Sequence, residues 1–355
     1  MKKYIYSLMK NQRRSFVHAL PKLLLYITSL FYIAIIKIWN FCYEKGVFKI
    51  HKVDTKIISV GNITLGGTGK TPFAIFLAAL LKKQGRSVAI LIRGYGDDEW
   101  RMLEKNIPSV PVIKGRDRVE SAKEAKRIYN SEILILDDGF QHRRLKRDLD
   151  IVLIDARQSF GNERIFPRGV LREPLSALKR ADIIVLTKAD FGRDNIRNLR
   201  ITLSGGFEKH KALEAVYKPM RFLGLRDGKR LGLEIARNKK ICVLSAIADS
   251  AYFKYMLKNL GAGLTEIIDY PDHHNYTEKD LAYVEKKAQE SGCEFIVTTE
   301  KDAVKLSAIS YPLRGGSASL RTQLSATPIL VLCIELEITK GMEELIARLN
   351  RLYTG

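Results

Sequence analysis

A glycine-rich segment between an apolar strand and an apolar helix is the clearest chemical signal in the chain. It runs from Gly66 to Thr71, after the β-branched run 56–60 and before the apolar stretch 73–81. The backbone amides of such a turn and the N-terminus of the following helix bind phosphate oxygens. Lys70 is then placed to reach the β- and γ-phosphates of a nucleotide, and the Thr71 hydroxyl to bind Mg²⁺.

The segment departs at one position from the strict Walker pattern, which has a glycine five residues before Gly69. Thr64 stands there, so the later glycines must allow the close approach of the backbone to phosphate. The alternative is a glycine-rich loop that only turns the chain. The predicted nucleotide-binding residues are Thr64, Gly66, Gly67, Thr68, Gly69, Lys70 and Thr71.

Two adjacent carboxylates form the second signal. Asp137 and Asp138 follow the apolar run 133–136, and four apolar residues before an acid is the Walker B arrangement that places an acid beside Mg²⁺. Further apolar runs at 87–92, 151–155 and 183–187 alternate with helical segments. This alternation predicts an α/β fold of the P-loop NTPase type, with a doubly wound, mostly parallel sheet.

The segment 187–190 raises a competing function. Its sequence, Thr187-Lys188-Ala189-Asp190, is similar to the guanine-reading element of GTPases. A GTPase also needs an Asp at the position that Leu136 occupies, so a membrane-associated GTPase or ATPase switch is kept only as an alternative function. We interpret 187–190 as an ordinary strand end with a solvated charged turn.

Charge and composition narrow the classes of partner. Lys and Arg number 60 against 39 Asp and Glu, a net charge of +21 that favours anionic partners. The four cysteines are scattered and the six histidines form no Cys/His cluster, which predicts a reducing, cytosolic environment and no zinc site. The sequence has no nucleic-acid-binding signature, so no nucleic-acid partner is expected.

Residues 1–52 differ from the rest of the chain. They hold ten Lys or Arg against a single acid, Glu44, around the uncharged stretch 23–36. Polar residues recur along one side of a helix at 20–44, which predicts an amphipathic helix lying in a membrane interface. A membrane-spanning helix and a buried core helix are the alternatives.

Three further segments follow the basic N-terminus. We predict a P-loop domain at 53–205, a linker or ribbon at 206–235, and a smaller α/β domain at 236–355. The Gly-, Ser- and Thr-rich stretch 314–327 predicts a surface insertion. Oligomeric state is not encoded in any recognisable pattern, and we take a monomer as the working expectation.

Seven blocks of sequence, taken together and in this order, resemble the tetraacyldisaccharide 4'-kinases of lipid A biosynthesis. The resemblance spans about residues 20 to 340. The blocks are Val60–Pro72, Arg93–Gly96, Asp117–Arg118, Asp137–Arg143 with Arg147–Asp148, Leu171–Pro174, Tyr270–His273 and Thr298–Asp302.

The resemblance implies a lipid kinase. The γ-phosphoryl group of ATP would pass, with Mg²⁺, to the 4'-hydroxyl of a tetraacylated disaccharide 1-phosphate, giving lipid IVA at the cytosolic face of the inner membrane. The expected partners are the lipid disaccharide and the membrane surface. An inactive nucleotide-binding tether is a third class, against which the intact Lys70, Thr71 and Asp138 count.

The resemblance also implies roles for single residues. Asp138 matches the Walker B acid with Asp137 beside it, and Glu173 matches a carboxylate near the metal. Arg118 and Arg172 match basic residues that meet phosphate charge, while Gln141 and His142 match supporting positions. Asp98 and His273 match a catalytic pair that takes the proton of the sugar hydroxyl.

One departure from the family leaves an alternative open. The excursion that relatives place between the Arg93–Gly96 block and the catalytic acid is missing here, so either Asp97 or Asp98 could be that acid. We choose Asp98 because Glu99 follows it. If Asp98 lay on the first domain and His273 on the second, domain closure would assemble the base and limit wasteful ATP hydrolysis.

Overall fold

The fold was analysed in a computed structural model that describes residues 8–9, 19–94, 97–205, 212–310 and 327–354, without the side chains of 97–99, 308–310 and 354. The helices are α1 (Ala19–Glu44), α2 (Lys70–Lys83), α3 (Asp97–Asn106), α4 (Arg118–Tyr129), α5 (Arg193–Ser204), α6 (Ser250–Asn259), α7 (Glu278–Glu290), α8 (Glu300–Ser310) and α9 (Met342–Thr354). Single 3₁₀ turns occupy Leu175–Arg180 and Leu233–Ala236.

The strands are β1 (Lys56–Gly61), β2 (Val88–Ile92), β3 (Val112–Lys114), β4 (Ile133–Asp137), β5 (Leu149–Asp155), β6 (Ile183–Thr187), β7 (Leu213–Gly224), β8 (Arg230–Leu231), β9 (Lys240–Ser245), β10 (Gly263–Asp269), β11 (Phe295–Thr299) and β12 (Ile329–Lys340). The described chain divides into two compact units. Unit 1 holds 8–9, 19–94, 107–205, 212–216 and 338–354, and unit 2 holds 97–106, 217–310 and 327–337.

Unit 1 is built on parallel strands in the order β7-β6-β5-β1-β4-β2-β3. All five residues of β2 and of β4 are buried, so both faces of these strands lie in apolar surroundings. Strands that are covered on both faces are near-continuous apolar runs, which is why this sequence pattern specifies a parallel sheet. The predicted α/β fold with a mostly parallel sheet is confirmed.

Helix α2 packs against β1, β2 and β4, whereas α4 packs against β2 and β3. Alternate strand residues reach different layers. Leu134 and Leu136 pack with Val119 and Ala122 of α4. Successive side chains of a strand point to opposite faces, so the intervening Ile135, which is fully buried, belongs to the other face.

Unit 2 has its own parallel strands in the order β10-β9-β11-β12. Its core joins Leu244 of β9, Val284 of α7 and Ile296 of β11. Helix α3 packs against α8 in this unit. The expectation that Asp98 and His273 lie on different domains is therefore wrong, because α3, which contains Asp98, belongs to the unit that contains His273.

The two units do not follow the predicted boundaries at two further places. Segment 206–235 contains the long strand β7, paired with β6, and the short strand β8, antiparallel to β7. The C-terminal helix α9 belongs to unit 1, where the Arg86 guanidinium lies 3.8 Å from the Tyr353 ring centre. The predicted insertion at 314–327 falls outside the described residues except for residue 327.

Gly61, at the end of β1, packs closely against Phe140, and its substitution tests how tightly unit 1 is packed. A Cβ on this residue would lie 2.5 Å from Phe140 Cβ and 2.8 Å from Phe140 N. Because Phe140 is fully buried and cannot move aside, Gly61→Ala should lower the free energy of unfolding by about 1–3 kcal/mol in chemical denaturation.

Gly205→Ala is the matched control. Gly205 has a right-handed helical backbone, and the nearest atom to an added Cβ is 3.5 Å away. This substitution should leave stability unchanged or raise it by up to about 1 kcal/mol. Equal unfolding free energies for the two variants would contradict the packing described for Gly61.

Candidate active site

The glycine-rich loop joins β1 to α2 in a shape that needs glycine at two positions. Gly66 has φ +115° and Gly69 has φ +85°, and residues with a Cβ rarely adopt such values. Gly69 ends the loop as the N-cap of α2 and offers no side-chain cap. The first amides of α2 are therefore left for a ligand, which is the arrangement that binds phosphate.

A short pairing holds the loop beside the Leu171–Pro174 block. Leu65 N donates to Val170 O at 2.7 Å, and Arg172 N donates to Ile63 O at 2.7 Å. Thr64 forms an antiparallel bridge with Leu171 between these two bonds. Thr64 therefore contributes through its backbone, and this contribution does not depend on a glycine at position 64. The pairing also brings Arg172 and Glu173 next to the loop.

Asn62 is a residue that the sequence motifs did not single out. It is fully buried, and its Nδ2 donates to Thr68 Oγ1 at 3.0 Å. Its Oδ1 accepts from Arg172 Nη1 at 3.1 Å. One amide thus joins the glycine-rich loop to the arginine, a link between residues far apart in sequence.

The two Walker acids have different partners. Asp137 ends β4 opposite Val60 of β1, and its Oδ2 accepts from Thr71 Oγ1 at 3.1 Å. Asp138, with φ +52°, lies 3.6 Å from Lys70 Nζ and 2.8 Å from Arg172 Nη1. Burial raises the pKa of Asp138, but Lys70 and Arg172 outweigh it and hold this pKa below its ordinary value.

Arg118 is a buried cation with an unused donor. Its Nη2 donates to the carbonyl oxygen of Asp137 at 3.2 Å, whereas Nη1 has no hydrogen-bond partner among the described residues. Only 3% of the residue is exposed. Burial lowers the pKa of Arg118 to about 10, against the opposing influence of Asp137 and Asp138. A buried guanidinium with an orphaned N–H suits an anionic ligand.

Glu173 lies in a separate cluster of polar side chains. Its oxygens accept from Arg180 Nη2 at 2.9 and 3.0 Å, from Gln141 Nε2 at 2.9 Å and from Asn40 Nδ2 of α1 at 3.3 Å. Gln141 Nε2 also donates to Asn62 O at 2.9 Å. The predicted metal set of Thr71, Asp138 and Glu173 does not appear as one group of ligands. Thr71 instead pairs with Asp137.

No group of three or more His, Cys, Asp or Glu side chains among the described residues is arranged to hold a metal ion. The hydroxyl of Thr71 and the carboxylate of Asp137 nevertheless fit Mg²⁺, which takes one or two protein oxygens and completes its shell with water and phosphate oxygens. The metal roles of Asp138 and Glu173 remain predictions.

His142 is half-buried among basic side chains. Its Nε2 has no hydrogen-bond partner among the residues described. Burial, and then the charges of Arg118, Arg147 and Arg144, lower the pKa of His142 to about 4. His142 is therefore neutral near pH 7, with an unused ring nitrogen.

His273 of unit 2 stands in a tight turn with φ +62°. Its backbone N donates to Asp272 Oδ1 at 3.1 Å, and its Nε2 lies 3.6 Å from Asp272 Oδ2. Lys301 Nζ lies 3.2 Å from Asp272 Oδ1 and 3.5 Å from His273 Nε2. The side chain is half-exposed and open to a reactant. Lys301 belongs to the Thr298–Asp302 block, for which the sequence analysis predicts no role.

The neighbouring His274 is used by the fold. Its Nε2 lies 3.1 Å from Asp280 Oδ2, and its ring stacks on Tyr270 with ring centres 4.3 Å apart. These contacts leave His273 as the better candidate for chemistry. The side chains of Asp97 and Asp98 lie outside the described residues, so the choice between them stays open.

The strand, glycine-rich loop and helix, with an acid at the end of the adjacent parallel strand, define a P-loop nucleotide-binding enzyme. A model of the LpxK family, tetraacyldisaccharide-1-P 4'-kinase, matches residues 21–351. The chain belongs to this family, whose members are kinases of lipid A biosynthesis.

Two relatives illustrate the similarity. The tetraacyldisaccharide 4'-kinase of Syntrophus aciditrophicus is 37% identical over 314 residues, covering 80% of this chain and 84% of its own length. That of Halothermothrix orenii is 33% identical over 341 residues, covering 86% and 88%.

A crystal structure of LpxK from Aquifex aeolicus in complex with ATP is also similar. It has a TM-score of 0.67 and 28% sequence identity, covering 92% of this chain and 97% of that one. The chain is thus a tetraacyldisaccharide-1-P 4'-kinase by family, as predicted, and the GTPase or ATPase switch is set aside.

The lowered pKa of His142 predicts a pH dependence of stability. The unfolded chain takes up a proton near the ordinary pKa of about 6.5, whereas the folded chain does so only near a pKa of about 4. Stability should therefore fall as pH drops through this interval. His142→Gln should lose less unfolding free energy than the native chain between about pH 7.5 and about pH 5.

Denaturant unfolding at both pH values measures the difference. Parallel losses in the native and His142→Gln chains would show that His142 titrates alike in the folded and unfolded states.

Proposed function

We propose that the chain transfers the γ-phosphoryl group of ATP to the 4'-hydroxyl of tetraacyldisaccharide 1-phosphate, forming lipid IVA, with its nucleotide held by the residues between Thr64 and Thr71. The observation that carries this assignment is the buried, incompletely bonded guanidinium of Arg118 beside the end of β4. Its free N–H and its position near the Walker acids support a phosphate as the missing partner.

The glycine-rich loop binds the triphosphate chain in this proposal. Gly69 leaves the first turn of α2 uncapped, and the positive end of a helix attracts anions. Lys70 lies against Asp138 at 3.6 Å and turns to the β- and γ-phosphates when nucleotide enters. Arg172 shares the same carboxylate and is likewise released to the γ-phosphate.

Mg²⁺, when bound, would supply positive charge that offsets the negative charge of the phosphates. Thr71 Oγ1 and the Asp137 carboxylate, 3.1 Å apart, are the best-supported protein ligands. Asp138 is the other candidate, and Glu173 would act near the metal. Gln141 and Arg180 hold Glu173 in one orientation, so Gln141 is a supporting residue here.

Asp98 and His273 form the catalytic pair in this proposal. A sugar hydroxyl is a weak nucleophile at neutral pH, and a base must take its proton as the new P–O bond forms. The half-exposed ring of His273, fixed by the turn around Asp272, suits this task. Asp98 shares a unit with His273 and would orient it or take the proton itself.

Helix α1 attaches this chemistry to a membrane surface. It is the one helix of the described chain that is long and apolar enough to cross a membrane, and 6% of its apolar window is buried. This low burial counts against the alternative of a buried core helix. Leu24, Phe31 and Ile38 are 58%, 69% and 63% exposed along one side.

The opposite side of α1 is bonded to unit 1. Tyr32 OH donates to Arg172 O at 3.3 Å, and Asn40 contacts both Glu173 and Arg143. A helix with one side bound to protein and the other apolar and exposed fits a position in the plane of the interface. The proposed location is the cytosolic face of the inner membrane, where the lipid substrate would meet the site.

Phosphoryl transfer is tested with purified protein in detergent, Mg²⁺, labelled ATP or GTP, and tetraacyldisaccharide 1-phosphate. Label should move from ATP to the lipid. Lys70→Met should lower the rate at least about 100-fold, because a donor to the transferring phosphate is lost. His273→Ala should lower it by about 10²–10⁴-fold, because the base is lost.

Lys83→Met, on the exposed side of the same helix α2, and His51→Ala are the matched controls and should keep native rates. Asp97→Asn and Asp98→Asn, measured side by side, decide between the two acids. Hydrolysis of GTP without label reaching the lipid would overturn the proposed function.

Membrane attachment is tested by sedimentation with vesicles of inner-membrane composition. Phe31→Glu with Ile38→Glu should lower the bound fraction at least about tenfold, because burial of each apolar side chain contributes about 1.5–3 kcal/mol. ATP binding should not change. Ile201→Glu is the control, since Ile201 of α5 is 60% exposed elsewhere on unit 1.

The two membrane geometries give different labelling patterns. In a chain with Cys42→Ser, Lys22→Cys and Glu44→Cys should both react with an impermeant thiol reagent added to the side of the vesicle that carries the protein. Reaction at one end alone would show a spanning helix.

Undiminished sedimentation of the double glutamate variant would reject α1 as the anchor.

A further inference from the structure

The segment 187–190, interpreted from sequence as a solvated charged turn, is buried over its first three residues. Thr187 is completely buried at the end of β6, and Lys188 is 4% exposed. The interpretation as a solvated turn is wrong, because both side chains are directed to the glycine-rich loop. Lys188 Nζ donates to Gly67 O at 3.0 Å, and Thr187 Oγ1 donates to Thr68 O at 3.0 Å.

We propose that Thr187 and Lys188 are positioning residues of the phosphate site, which hold two successive carbonyl groups of the glycine-rich loop away from the nucleotide. The inference rests on the proposed function, because that function places ATP at this loop. The inference gives the end of β6 the task of positioning the glycine-rich loop, which is not a task of the sequence motifs or of the Walker acids.

The geometry of the peptide unit gives the first argument. In a trans peptide the carbonyl group of one residue and the N–H of the next point in opposite directions. By binding the carbonyl oxygen of Thr68, Thr187 turns the N–H of Gly69 away from β6. Gly69 is the last residue before α2, so this N–H is oriented with the first amides of the helix.

Electrostatics gives the second argument. A carbonyl oxygen directed at the phosphates would repel them, so a phosphate loop must keep its carbonyl groups on the opposite side. Lys188 and Thr187 provide donors there for Gly67 and Thr68. The hydroxyl of Thr187 has a single proton, and its other acceptor, Ile154 O, is more distant at 3.4 Å.

The ammonium group of Lys188 is itself held by a buried carboxylate. Its Nζ lies 2.5 Å from Asp155 Oδ2, and each side chain of the pair is at most 5% exposed. Asp155 Oδ1 accepts from the backbone N of Arg157 at 2.9 Å and of Gln158 at 3.1 Å. The loop is therefore connected through Lys188 to the end of β5.

The buried pair and its backbone conformation are costly. Desolvation of two charges often cancels their attraction, so a buried ion pair is weak evidence for stability. Lys188 also has φ +57°, a left-handed conformation that is unfavourable for a residue with a Cβ. The two features are accounted for if the position of the ammonium group at Gly67 is what the enzyme needs.

Thr187→Val removes the hydroxyl and keeps the shape of the side chain. Because the Thr68 carbonyl loses its donor, the loop should be less well placed for ATP. The specificity constant kcat/KM for ATP should fall at least about tenfold, as expected when reacting groups are displaced by a fraction of an ångström. KM for the lipid should stay at its native value, and Thr187→Ser should restore most of kcat/KM.

Thr298→Val is the matched control. Thr298 is a fully buried threonine of β11 whose hydroxyl has no hydrogen-bond partner among the described residues. Its substitution should leave the kinetic constants and the melting midpoint unchanged. Hydrogen exchange of the amides between Gly66 and Thr71 gives a readout that does not depend on activity. This exchange should be faster in Thr187→Val than in the native chain or in Thr298→Val.

Lys188 is tested together with Asp155, because either single change would leave a buried charge without its partner. The double variant Lys188→Met with Asp155→Asn should fold, show faster exchange in the loop, and lose kcat/KM for ATP while keeping the lipid KM. Melting midpoints of all variants are compared with the native chain.

The outcomes separate the inference from the proposed function. Native ATP kinetics and native loop exchange in both Thr187→Val and the double variant would overturn the inference. The inference would also be overturned by a general defect. Such a defect would change kcat/KM for ATP and KM for the lipid together, lower the melting midpoint, and not be rescued by Thr187→Ser. Full activity of Lys70→Met would remove ATP from this loop, and with it both the proposed site and the inference.

Discussion

The register of the parallel strands places the polar groups of the nucleotide site. Val60, the next-to-last residue of β1, pairs with Asp137, and Asp155 pairs with Thr187, so these strands end at one edge of the sheet. In a parallel sheet the carboxyl ends of neighbouring strands must meet at the same edge. The loop after β1 has to leave from this edge, between the two Walker acids on one side and the end of β6 on the other.

Charge is balanced around this edge by a small number of long-range contacts. Lys70 and Arg172 share Asp138, and Arg180 is paired with Glu173. Arg118 keeps an Nη1 donor without a hydrogen-bond partner among the described residues, and the Nε of Arg180 is likewise without one. A site that receives a highly charged nucleotide needs such cations in place beforehand, since side chains already held by carboxylates lose little conformational freedom on binding.

Helix α1 is part of the same arrangement. Asn40 of α1 donates to Glu173, and Tyr32 donates to the carbonyl oxygen of Arg172, so the helix contacts the block that follows the glycine-rich loop. The apolar face of α1 remains exposed. A lipid kinase must combine a water-soluble donor with an insoluble acceptor, and in the proposed function helix α1 serves both, because it contacts the phosphate site and has an exposed apolar face.

The sequence alone determined the features that depend on local pattern. The glycine spacing before Lys70 and the apolar run before Asp137 specify a phosphate loop and a Walker acid, because backbone conformation and strand period are set by nearby residues. The one-sided polarity of α1 predicts an interfacial helix. The tertiary structure decided which groups meet. Thr71 contacts Asp137, and Thr187 reaches the loop through contacts that span long sequence separations. Such pairings follow from strand order and burial, which no local pattern encodes.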